Sequence, residues 1–307
     1  MTQAIHKKQD WSDLSKKHLF AALEQIRVEL EAYKKRKKAN SQPQASKDEV
    51  LQLKEENKTL YQYTALARLI EQLGLSKFEE KILLLCAGVE LKSSFSELIK
   101  DLQGDSKSIY PTFYLALAAF EKEKHLDAIA PNASLRDWEL LQIKKNSLLG
   151  NSPISIDEHI LYYLLGTKTI HHELYSLVNQ VPFKTSLTPS HESIAFSIAD
   201  LLTKFKDTSQ YSYIQLVGQD TTDVLSIIAA IAKGIEYQLY QIAPYAIPNN
   251  IKERTHLAKL WEREARLKQY FLVIDCSDLN EGDKNTLQNI LHFVSSVRLV
   301  FLINFPE

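Results

Sequence analysis

Residues 211–232, YSYIQLVGQDTTDVLSIIAAIA, constrain the fold more than any other stretch of the chain. They read as a buried strand, a turn at Gly218 and an apolar helix. Ile214, Leu216 and Val217 supply the apolar, β-branched run of a covered parallel strand. Glycine accepts the backbone angles of a sharp strand-to-helix turn. Asp220, Thr221 and Thr222 are residue types that cap a helix N-terminus.

This is the frame of a phosphate-binding loop, G-x-x-x-x-G-K-[ST]. Laid on that template from Gly218, the stretch departs from it wherever the chemistry lies. Asp223 stands at the second glycine, Val224 at the lysine that reaches the phosphates, and Leu225 at the hydroxyl that holds Mg²⁺. An aspartate repels the anion, and valine cannot replace an ammonium. Taken alone, the stretch also fits an ordinary βα turn with one glycine.

A second landmark shifts the balance. Residues 270–278 read YFLVIDCSD, with Phe271 to Ile274 running into Asp275 at a strand end. In a nucleotide-hydrolysing module that aspartate assists Mg²⁺ and a following glutamate activates water; here Cys276 takes the glutamate's place. The Gly218–Asp275 separation suits an intervening helix, strand and helix. A third strand, VRLVFLIN at 297–304, follows one helix later and ends in the polar Asn304. Strands alternating with helices predict a doubly wound parallel sheet, with 213–217 and 271–274 as central strands. The expected site is vestigial, formed by Gly218, Asp220, Thr221, Thr222 and Asp275. No residue is assigned as catalytic and none as a metal ligand. No cofactor is expected beyond weak contact with ATP or Mg²⁺.

Composition sets the outer limits. A chain of 307 residues suggests two domains. Net charge of −1 gives no general attraction to nucleic acid or an anionic membrane. Glycine numbers 8, against about 21 at ordinary usage, which favours long helices over an all-β fold. No 18-residue apolar run marks a membrane span, and the first residues lack the apolar core of a signal peptide. Cys86 and Cys276 lie in apolar runs without paired spacing, as expected of buried thiols in a cytoplasmic protein.

Along the chain, a helix is expected over 12–38. Leu19, Leu23, Ile26, Leu30 and Tyr33 step by four and three, a stripe short of a coiled coil. It serves either a docked helix or a short coil. The run Lys34 to Lys38 suits a helix C-terminus and solvent. Residues 39–47 read as a linker and 48–73 as a second long helix. Ser76 and Glu79 spell a capping box that opens an apolar helix. Further helices are expected over 94–102, from Pro111, over 134–143 and over 157–165, with a wing-like hairpin at 144–156. The expected domains are therefore 1–47, 48–180 and 186–307. The candidate recognition helix carries Tyr110, Phe113 and Tyr114 rather than cations, which favours a protein-binding or structural winged helix over a DNA reader. His171 and His172 are read as surface histidines. Residues 191–205 and 253–267 are expected as helices, the latter with Trp261 on its buried side.

Residues 65–91, 111–120, 130–143 and 154–166 together resemble the N-terminal half of the bacterial AAA+ ATPases encoded with extracellular contractile injection systems. The resemblance spans roughly 50–307 and is most specific over 65–91. It implies a winged-helix region followed by a degenerate first ATPase domain, here without lid or second module. The chain would then be a fragment or an incomplete partner. The implied role is a non-hydrolysing interaction and assembly module, self-associating in a ring and serving particle assembly, maturation or effector loading in the cytoplasm. Protein partners are expected, and nucleic acid and membrane are not. An unorthodox nucleotide hydrolase and a winged-helix DNA regulator are the rival readings.

Overall fold

The computed structural model describes residues 2–39, 63–105, 108–144, 148–183, 187–204, 213–280, 282–298 and 300–305. Residues 40–47 of the predicted linker and 48–62 of the predicted second helix lie outside these, while Ala39 ends a helix. The chain divides into two units, Met1–Thr169 and Ile170–Glu307.

The first unit is built on helix α1 (Thr2–Ala39). It starts well before Ser12, whose hydroxyl donates instead to Leu165 O (3.4 Å). The predicted stripe is real but is used internally: Leu19, Leu23, Ile26 and Leu30 are buried. They meet α2 (Ala65–Leu73), α3 (Lys77–Leu91) and α4 (Ser93–Gln103). Ion pairs pin the same helices at their rims: Lys81 to Glu29 (2.8 Å), Lys92 to Glu24, and Lys34 to Asp101. Lys37 donates to Leu102 O at the C-terminal end of α4 (2.7 Å), where the helix dipole favours a cation. Part of the basic run therefore serves the fold.

The capping box forms as predicted. Glu79 N–H donates to Ser76 Oγ (3.2 Å), and Ser76 N–H donates to the Glu79 carboxylate (2.9 Å). Helix α5 (Phe113–Ala119) follows, capped by Thr112. The predicted helix over 134–143 breaks after four residues, α6 (Ser134–Asp137). Leu141–Ile143 leaves it as strand β1 and pairs antiparallel with β2 (Ile154–Ile156). The alternation of Leu141 and Ile143 with Gln142 is strand periodicity, and the hairpin begins three residues earlier than expected. Asp157 caps α7 (Glu158–Leu164), which closes the unit.

The second unit opens with α8 (His172–Tyr175) and β3 (Val178–Gln180). Strand β3 pairs antiparallel with β5 (Gln238–Ile242), so the unit begins near residue 170, not 186. Then come α9 (Pro189–Lys204), β4 (Tyr213–Leu216), α10 (Thr221–Gly234) and β5. Helix α11 (Ile251–Lys268), β6 (Tyr270–Asp275), α12 (Lys284–Val294) and β7 (Val300–Ile303) complete it. The strand order is β3-β5-β6-β7-β4, parallel except for β3.

Strand β6 alternates between two cores. Leu272 and Ile274 pack with Trp261 of α11 and Phe293 of α12. Phe271 and Val273 pack with Ile228 and Ala232 of α10 and Ala195 of α9. The sheet is therefore covered on both faces, and β6 is central as predicted. Strand β4 is not: it pairs only with β7 and stands at the edge. Its burial alternates instead of being continuous, and Val217 is 78% exposed. Trp261 lies on the buried side of its helix. Among the described residues, no helix is long and apolar enough to cross a membrane.

Candidate functional site

The sheet order fixes where a site can lie. The chain leaves β4, crosses by α10 to β5, then returns strand by strand through β6 and β7 until β7 meets β4. The crossover after β4 packs on one face of the sheet and those after β5 and β6 on the other, and in open α/β sheets ligands bind outside the carboxyl ends of the strands where the crossovers part in this way. Gly218 and Asn304 follow the carboxyl ends of β4 and β7 there, and Asp275 is the last residue of β6.

Asn304 fills this crevice. Its Oδ1 accepts from Gly218 N–H (2.9 Å), and its Nδ2 donates to Gly218 O (3.0 Å) and to Ser277 Oγ (3.0 Å). Ser277 in turn donates both its backbone N–H (3.0 Å) and its hydroxyl (2.6 Å) to Asp275 Oδ1. Asn304 sits at φ 47°, a left-handed conformation that asparagine tolerates better than most residues. Its own N–H donates to Leu216 O (3.0 Å), which extends the β7–β4 ladder.

Gly218 is needed for space, not for a left-handed turn. A Cβ there would meet Val224 Cγ2 at 2.6 Å. Val224, at the lysine's template position, is buried against the loop. Asp220 caps α10 by accepting from Thr222 N–H (2.8 Å). Its carboxylate thus occupies the helix N-terminus, the position that would otherwise favour a phosphate. Thr221 and Thr222 form the first turn, and the Thr222 carbonyl accepts from Ser226 Oγ (2.6 Å). Burial, assisted by Asp275, pushes the Cys276 thiol up to about 12, so it is protonated at neutral pH and cannot act as a base.

Gly218 and Asp275 are joined through Asn304 and Ser277. Asp220, Thr221 and Thr222 form the adjacent helix cap. The sequence pointed to Asn304, but Ser277 had no motif to reveal it. These groups do not fit a nucleoside triphosphate. The Gly218 N–H is committed to Asn304, the helix N-terminus holds a carboxylate, and a valine methyl closes the space beside Gly218.

The first unit carries the other candidate surface. Residue 112 bridges to Pro153 antiparallel, and Ile154 N–H donates to Pro111 O (2.9 Å). A short edge before α5, two helices and the β1–β2 hairpin therefore form one consecutive motif. The family described as "Winged helix domain, variant" matches residues 5–178. The chain belongs to this winged helix family. No curated protein and no solved structure matches it.

The match begins in α1, so that helix is part of the winged helix domain rather than a separate arm. The second helix of a helix-turn-helix pair is the usual reader of DNA. In this winged helix it is α6, not the helix with Phe113 and Tyr114. Helix α6 has four residues, and its cation, Arg136, donates to Ile129 O (2.7 Å). In the wing, Lys144 lies over the Tyr110 ring (4.8 Å). Both cations are engaged by the domain itself.

Proposed function

We propose that this chain is a non-hydrolysing interaction and assembly module: a winged helix domain joined to a degenerate, phosphate-loop-like domain of AAA+ type. One observation carries the reading. The crevice at the carboxyl ends of β4, β6 and β7 is filled by the protein's own groups. Two altered nucleotide motifs in the right order, with Asn304 behind them, support descent from a hydrolysing domain. Phosphoryl transfer depends on positioning and charge stabilisation, and Val224, Leu225 and Cys276 supply neither. The resemblance to AAA+ ATPases of extracellular contractile injection systems suggests the process served: particle assembly, maturation or effector loading within a ring.

Phosphate release from ATP by the purified chain tests the reading. Release at background, unchanged by Val224→Lys, is expected, because the other groups would still be missing. Turnover well above background that disappears with Asp275→Ala would establish the hydrolase reading instead.

A further inference from the structure

We propose that His171, His172 and Glu173 form a binding site for a divalent metal ion of the zinc class. The three residues open the second unit at the start of α8, and no nucleotide motif involves them. Their ligand atoms lie within 4.8 Å of one another. The two imidazole rings lie side by side, with centroids 4.4 Å apart and planes tilted by 36°. Against the sequence expectation of two surface histidines, His171 is buried and caps α8, while His172 and Glu173 are exposed.

The donor set selects the ion. Two imidazole nitrogens and one carboxylate suit zinc and its first-row neighbours, whereas Mg²⁺ and Ca²⁺ require oxygen ligands. Three protein ligands leave a fourth position for solvent or a partner's side chain. A tetrahedral zinc with bonds of about 2.1 Å brings its ligands to about 3.4 Å apart. Rotation of the two exposed side chains toward His171 supplies the closure.

His256 of α11 gives the set its second element. Its Nε2 lies 3.1 Å from the Glu173 carboxylate. Metal-bound carboxylates are held by such outer partners, whose loss typically weakens binding about 10- to 100-fold. Binding also has a definite local consequence. His171 Nδ1 accepts from Glu173 N–H at 3.3 Å. A metal on Nδ1 uses that lone pair, and a metal on Nε2 requires a proton on Nδ1. The capping bond is given up in both cases, and it is a long one.

Zn²⁺ titration of the full chain by calorimetry, with Co²⁺ absorption as the geometric readout, tests the site. The expected result is one equivalent of Zn²⁺ and the visible bands of tetrahedral Co²⁺. His172→Ala and Glu173→Gln each weaken binding at least about tenfold, and His256→Ala by about 10- to 100-fold. His191→Ala, on α9, leaves it unchanged. His172, Glu173 and His256 are substantially exposed, so the variants keep their far-ultraviolet dichroism. Absence of stoichiometric binding, or equal affinity in the His172→Ala/Glu173→Gln double variant, overturns the proposal.

Discussion

Asn304 shows how much one side chain decides. It makes three hydrogen bonds across the crevice while held at φ 47°. Asn304→Ala loses those bonds and strains the backbone; Asn304→Gly loses the same bonds without the strain. Each lost bond costs about 0.5–1.5 kcal/mol. Denaturant melts should therefore show both variants destabilised, with the alanine form worse by about 1 kcal/mol. Two titrating groups give independent checks. The Cys276 thiol, raised to about 12 by burial, should react with thiol reagents at pH 8 only after unfolding. Reaction in the native state at the rate of a small thiol would contradict its burial. The His18 imidazole is held below its ordinary value, chiefly by burial and against the opposing effect of Glu80. The folded state thus binds fewer protons than the unfolded chain, and stability is lost as pH falls below about 6.5. The melting temperature should drop from pH 7 to 5, and His18→Gln should flatten that dependence.

At the level of elements, local signals were legible where they agreed with tertiary contacts. The Ser76 capping box can be seen from four residues, and it forms. Ser76→Ala should lower stability by about 1 kcal/mol, with Ser76 Oγ also losing His125 Nε2 at 2.8 Å. Gly166 is a sterner case: it stands at φ 81°, and a Cβ would meet Ser12 Cα at 2.5 Å. Because the obstacle is backbone, Gly166→Ala should loosen the start of α1, which protease cleavage would detect. Strand β4 misled the sequence reading, because a run of apolar residues does not say whether its strand is central or at an edge. Residues 134–143 misled it because helix and strand periods cannot be separated over so few positions. Strand β3, only three residues long, is defined by its partner β5 and had no signal of its own. The site followed the same rule. Motif positions located Gly218, Asp220 and Asp275, but only the fold showed that Asn304 and Ser277 connect them.

The whole molecule carries a winged helix domain and a five-stranded sheet whose strand-end crevice is occupied by its own side chains. The stripe of α1 is already buried within the first unit, so any self-association draws on other surfaces. On that reading, removing the exposed Phe196 side chain of α9, as Phe196→Ser, should reduce assembly seen by light scattering more than Phe20→Ser on α1. Retention on DNA should be weak, since Arg136 and Lys144 are engaged internally. Strong binding that falls steeply with salt would favour the DNA-regulator reading. The central claim, that the crevice at the strand ends is filled by the protein itself, is tested most directly by titrating the purified chain with ATP and Mg²⁺ in a calorimeter. No saturable heat is expected. Saturable, Mg²⁺-dependent binding that Asp275→Ala abolishes would contradict it.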